Sequence, residues 1–269
     1  MLVDHAIVVD SKVDLARRFS GLERLYGVQG AAQIRKAHVA VIGIGGVGSW
    51  AAEALARSGV GQITLIDFDQ VAESNINRQI HADTLSVGKA KVLAMQERIA
   101  LINSECKVNS VEEFATPENW PELAAANFDA VLDCCDQQSA KTSLAAWALE
   151  QSKRLKKQAC LFITSGAAGG KRRAEKVEIA DLCETTHDPL LADLRYRLRR
   201  QHGAPREKKI GIACVFSKES VAPPDPSCAI EDADGSLNCH GFGSVVCVTA
   251  TFGLCAAGWV LDGLAQRQA

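Results

Sequence analysis

The ten cysteines of this 269-residue chain include no CxxC pair. That spacing argues against a four-cysteine structural zinc site, and no structural zinc is expected. No basic leader is present either: the start MLVDHAIVVDSKVD brings acids early, which argues against a secretory signal and for a reducing cytoplasm. There is no internal repeat and no linker long enough to separate a second unit, so a single domain over residues 1–269 is expected. A large net charge is also missing, since 30 Lys and Arg face 32 Asp and Glu. That balance excludes a general polyanion binder.

What the chain does have is uneven. Residues 151–210 carry 15 Lys and Arg against 7 Asp and Glu, whereas the remainder carries 15 against 25, so one basic region sits on an acidic body. A charge-free run from Gly241 to Leu261 is long enough to span a membrane. Its Gly, Ala, Ser and Thr content and its lack of basic flanks favour a buried helix, and membrane contact is the minor alternative.

The organising stretch is His38 to Asp69, HVAVIGIGGVGSWAAEALARSGVGQITLIDFD. An apolar run ending at Ile42 enters a turn holding Gly43, Gly45, Gly46 and Gly48, an Ala/Leu-rich helix follows to Ser58, and a second apolar run, Ile63 to Ile66, ends at Asp67. That order is strand, phosphate turn, helix, strand, acid. Glycine suits the turn because phosphate oxygens must approach main-chain N–H groups at a helix N-terminus. Asp67 then stands where a carboxylate accepts ribose hydroxyls.

Beyond it, helical periodicity (Val92, Met95, Ile99) predicts a crossover helix over 87–101, then strands at 106–111, 129–133 and 159–164 with helices between them. Upstream, segments 14–26 and 28–36 read as helices broken at Gly27. After Ser165 the pattern gives a second glycine turn (Gly166, Gly169, Gly170), a strand at 177–180, a helix capped by Asp188 and Pro189 with a Leu190, Leu194, Leu198 stripe, and a strand within 211–220. The fold class is α/β: a Rossmann-like, doubly wound, mostly parallel sheet. Residues 14–165 form the nucleotide-binding core, and 166–269 a substrate-side, dimer-forming extension with additional strands and the buried apolar helix.

The glycine pattern alone fits a dinucleotide site, with an NAD-dependent oxidoreductase as the default. Asp69, Ser74, Asn75, Asn77, Arg78 and Gln79 change that reading by crowding polar and cationic groups beside the turn. Attack on a phosphate needs such a cluster, because a leaving pyrophosphate must be stabilised by cations and often by a metal held on a carboxylate. Asp69 is counted with the cofactor-binding residues.

The motifs GxGGVGSW (Gly43–Trp50), LIDFDxVxxSNINRQ (Leu65–Gln79), VGKAK (Val87–Lys91) and DCCD (Asp133–Asp136) resemble, in order and spacing, the ubiquitin-activating-type adenylyltransferases, including activators of sulfur-carrier proteins. Those enzymes bind ATP and join a carboxylate to its α-phosphate. The resemblance implies that Gly43, Gly45, Gly46 and Gly48 cradle phosphates, Asp67 holds the ribose, and Asn75, Arg78 and Lys91 hold the triphosphate. It further implies that Asp136 holds Mg2+, and that Arg24, or less strongly Arg18, reaches across a homodimer. Arg24, Arg78, Lys91 and Asp136 are the catalytic set. Each has a bland alternative: Asp67 caps its own turn, Asp136 caps the next helix, and the three cations are merely solvated.

The second half departs from the sulfur-carrier activators, many of which carry paired CxxC zinc ligands. RFSGLERLYG, TSGAAGG, HDPLLADLRYRLR, CVFSKE and NCHGFGSVVCVTATFG instead resemble one branch, the tRNA threonylcarbamoyladenosine dehydratases. KRRAEK at 171–176 is more basic than that pattern. The branch closes the ring of threonylcarbamoyladenosine beside the anticodon at the expense of ATP, which implies tRNA as partner. Activation of a small ubiquitin-like or sulfur-carrier protein is the alternative, with a sulfur-relay protein as a further partner. Lys171, Arg172, Arg173, Arg195, Arg199, Arg200, Lys208 and Lys209 are then expected to meet tRNA phosphates. Cys239 is a candidate thiol because it precedes a helix N-terminus, against the plainer reading of a packed cysteine.

Overall fold

The computed structural model describes residues 14–155, 159–225, 227 and 242–267. The first strands are β1 (His38–Ile42), β2 (Gln62–Ile66), β3 (Lys107–Val111), β4 (Ala130–Asp133) and β5 (Leu161–Ser165). β6 (Val177–Asp181) and β7 (Ala213–Ser217) complete a seven-stranded sheet in the order β3-β2-β1-β4-β5-β7-β6. Every pairing is parallel except β6 on β7. The apolar runs HVAVI, QITLI and AVLD are buried on both faces, as central strands of a covered parallel sheet must be. The chain winds outward from β1 in both directions, so the C-terminal ends of β1 and β4 border the crevice where the strand order reverses.

Helices α1 (Leu15–Lys36), α2 (Gly48–Arg57), α3 (Lys91–Ile102) and α7 (Val246–Ala265) contribute to one hydrophobic cluster. α4 (Trp120–Leu123), α5 (Gln138–Leu155) and α6 (Pro189–Gln201) contribute to a second. The charge-free run is long and apolar enough to cross a membrane, but Val248, Phe252, Ala257 and Val260 are fully buried in the core. Gly253 lets this helix approach α2, because a Cβ there would lie 2.8 Å from the Ala51 nitrogen. Leu254 on the opposite face is exposed.

Two of the following details agree with the sequence reading and two differ from it. The break at Gly27 stands inside α1, where φ is +73°. The crossover helix starts at Lys91 rather than residue 87, because Gly88 takes φ +84° and residues 88–89 exchange backbone hydrogen bonds with Val71. The buried stripe of α6 is Leu191, Leu194 and Leu198, not Leu190. Asp188 does cap that helix, accepting from the Leu191 N–H at 3.0 Å. Its second oxygen accepts from Ala167 at 2.9 Å and ties α6 to the turn after β5.

Candidate nucleotide site

The turn after β1 is built by steric necessity. Gly43 has φ +82°, and a Cβ there would lie 2.9 Å from the carbonyl of Cys134. A Cβ on Gly48 would collide with the Gly43 carbonyl oxygen. The turn therefore closes on itself and on the exit of β4 only with glycine at both places. It delivers the chain to α2, whose N-terminus has no side-chain cap and no acid in its first turn. Unsatisfied N–H groups and the positive end of the helix dipole are thus left for an anion.

Asp67 closes this turn from β2. Its carboxylate accepts from the Ile44 N–H at 2.6 Å and the Asp69 N–H at 2.8 Å. It caps its own turn and the glycine turn together, which leaves the remaining lone pairs for hydroxyl donors. Burial pushes its pKa up, against the pull of Lys91 and the two N–H groups. Lys91, buried at the start of α3, donates to Asp69 at 2.7 Å. Asn75 folds the connecting loop by accepting from the Ala72 N–H at 3.1 Å. Arg78 donates to the Ser74 carbonyl at 2.8 Å and to Asn77 at 2.9 Å, and its aliphatic stem lies over Gly46, 3.3 Å from where a Cβ would be. Its carbonyl accepts from the Trp50 indole at 2.9 Å. Gly45 lies open, its nearest neighbour being the Gln79 side chain. The buried Gln79 side-chain oxygen has no hydrogen-bond partner among the described residues.

Asp136 follows β4 across the crevice. Ile42 and Asp133 are partners in register, so the two chain exits stand side by side. Asp136 is exposed and makes no side-chain hydrogen bond among the described residues, so it does not cap α5. Arg24 is exposed on α1 beside Leu25 and Val28, which are 73% and 70% exposed. Arg18 instead donates to the Ile102 carbonyl at 2.5 Å. It lines a cleft of about 470 Å³ with Arg57 and Arg98, away from the glycine turn.

Two features escaped the sequence reading. Beneath the DCCD turn, Lys141 is fully buried and donates to Asp133 at 2.8 Å, Thr164 at 2.9 Å and the Ser165 carbonyl at 3.0 Å. Burial pulls its pKa down, but Asp133 prevails and lifts it to about 12. Nothing in the spacing of Asp133, Lys141 and Thr164 marks them as neighbours. The second feature is His81, buried with neither ring nitrogen hydrogen-bonded among the described residues. Burial, then Lys91 and Arg98, pull its pKa down to about 4. The unfolded chain takes this proton near pH 6.5 and the folded one near 4, so the stability is present above pH 6.5 and lost as pH falls through that window. His81→Leu should remove on the order of 3 kcal/mol of acid sensitivity between those values, read from denaturant unfolding at a series of pH values.

The basic segment divides on inspection. Lys171 is 2% exposed, and its ammonium donates to the carbonyls of His187 (2.9 Å) and Glu219. The expectation that it meets tRNA phosphates is corrected: the side chain is turned into the fold, where it joins three backbone segments. Arg195 donates to the carbonyls of Leu182 and Thr185, and Arg199 to those of Pro205 and Arg206. Arg172, Arg173, Arg200, Lys208 and Lys209 are exposed. Cys239 lies outside the described residues. Of the described thiols, Cys135 donates to Asp133 at 2.9 Å, and burial pushes its pKa well up.

The ThiF family model matches residues 17–268. The chain belongs to the ThiF family. Among ThiF-family relatives, it is 40% identical to the tRNA threonylcarbamoyladenosine dehydratase of Haemophilus influenzae over 97% of this chain and 99% of that one. It is 41% identical to the Escherichia coli enzyme of the same name, over 94% and 95%. The crystal structure of the E. coli dehydratase in complex with ATP superposes with a TM-score of 0.81 over 93% of this chain and 94% of that one. The AMP complex of that dehydratase gives the same score.

Proposed function

We propose that this protein is an ATP-dependent tRNA-modifying enzyme that closes the ring of threonylcarbamoyladenosine beside the anticodon. The observation that carries this reading is the adjacency of two chain exits, a glycine turn leading to an uncapped helix N-terminus after β1 and, after β4, a segment that bears the exposed Asp136. Full-length similarity to the dehydratases supplies the substrate. In this reading the N-terminus of α2 holds phosphates, Asp67 the ribose hydroxyls, and Asn75, Arg78 and Lys91 the triphosphate.

Magnesium suits the donor set, because Mg2+ is usually held by one or two carboxylates plus substrate phosphates and keeps several waters. Asp136 would hold it, and it would neutralise charge developing on the phosphates. Arg78 steadies the departing pyrophosphate. The threonyl carboxylate is a poor electrophile while hydroxide is its leaving group. Transfer to the α-phosphate makes AMP the leaving group, after which the neighbouring carbamoyl group closes the ring, helped by its enforced proximity. In a homodimer, Arg24 lies on the exposed apolar strip of α1, where it would reach the partner's site.

The decisive experiment incubates the protein with ATP, magnesium and tRNA carrying the open nucleoside, then reads nucleotides and the nucleoside by mass spectrometry under mild hydrolysis. The cyclic form and AMP are expected, whereas ADP in place of AMP would assign phosphorylation as the activating step. Pyrophosphate exchange that responds to a sulfur-carrier protein and not to tRNA would overturn the reading.

A further inference from the structure

The exposed arginines of α6 do more than raise the local charge. A groove of about 300 Å³ is lined by Ala192, Arg195, Tyr196, Arg199, Arg200 and Arg206 and contains no acid. Its cations are organised. The Arg195 guanidinium is held at 3.0 Å by the Leu182 and Thr185 carbonyls. Arg199 donates to the Pro205 carbonyl at 3.2 Å and the Arg206 carbonyl at 3.1 Å, which fixes the turn bearing Arg206 against the helix. Between them stands Tyr196, 57% exposed. Arg200 lies over its ring, 5.9 Å from the centroid, and donates to its hydroxyl at 2.8 Å.

A free phosphate would need only the guanidinium groups. An exposed aromatic ring among guanidinium groups, with no carboxylate to repel a polyanion, matches a single-stranded nucleic acid, whose bases stack while its phosphates pair with arginine. We propose that this groove takes an unpaired RNA base stacked on Tyr196, with flanking phosphates held by Arg200 and Arg206. The inference rests on the tRNA reading and adds to it a loop-reading subsite outside the nucleotide site. Arg195 and Arg199 form its walls.

The test uses the full-length protein and three probes: the tRNA, its anticodon stem-loop, and an RNA duplex of equal length. Tyr196→Ala should weaken stem-loop and tRNA binding about tenfold or more, leaving duplex binding and ATP binding unchanged. Tyr196→Phe should retain wild-type affinity. Arg206→Gln should lower the salt slope of binding by about one. Equal binding of Tyr196→Ala and wild type, at equal melting temperature, would overturn the subsite and leave the tRNA reading standing. Equal losses for stem-loop and duplex would overturn stacking, and displacement of RNA by a poly-glutamate peptide alone would reassign the groove to acidic proteins. Failure of the wild type to bind any of the RNAs would instead remove the tRNA reading itself.

Discussion

Asp136→Ala is expected to lower single-turnover consumption of ATP by about a thousandfold or more while the protein unfolds at its wild-type denaturant midpoint. The asymmetry follows from placement. The carboxylate is exposed and makes no side-chain hydrogen bond among the described residues, so its removal should change stability by no more than about 0.5 kcal/mol. It follows the exit of β4, which stands beside the exit of β1 and touches the glycine turn, and in the proposed function a carboxylate there would act through a cation at the phosphates. Clamps on transferring phosphoryl groups are among the larger single contributions to catalysis. Asp136→Asn should fall between, with a raised magnesium requirement. A wild-type rate in either variant would remove Asp136 from the mechanism.

The opposite asymmetry is expected one turn earlier. Asp133→Ala leaves Lys141 fully buried without its direct carboxylate partner, because Asp188, which also senses its charge, is hydrogen-bonded to Ala167 and Leu191 instead, and the neighbouring thiols are held protonated by burial. Breaking a buried pair in this way costs about 3–5 kcal/mol. Chemical denaturation should report that loss directly, and at 37 °C the variant should be largely insoluble. Asp133→Leu combined with Lys141→Met should recover most of it, because the charge and its partner are removed together. If Asp133→Ala were as stable as wild type, the ion pair would not be holding the DCCD turn. Activity in the double variant then asks whether the pair also orients Asp136.

The two residues show what kind of information each level holds. DCCD in sequence contains two aspartates three positions apart with no mark to separate them. In the fold the first points down between β4 and β5 to Lys141 and Thr164, and the second is left at the surface. Likewise Lys171 and Arg172 are adjacent cations, yet one is buried against the His187 and Glu219 carbonyls and the other is exposed. Local charge counting assigned both to RNA. Alternation of side chains along an extended segment, and the contacts made by distant loops, decide between them.

The strands, the glycine turn, the position of Asp67 and the Asp188 cap were all legible in the sequence. Each depends on local physics: apolar runs that must be buried, backbone angles open only to glycine, and helix N–H groups that need an acceptor. The resemblance of SNINRQ and the later motifs to a known branch was legible in the same way. Tertiary structure alone decided which cations remain available, that β6 runs antiparallel at the edge, that His81 and Lys141 are buried, and that Tyr196 stands among guanidinium groups. Those outcomes are set by contacts between segments far apart in the chain, and no local pattern of residues encodes which distant carbonyl or carboxylate a side chain will meet.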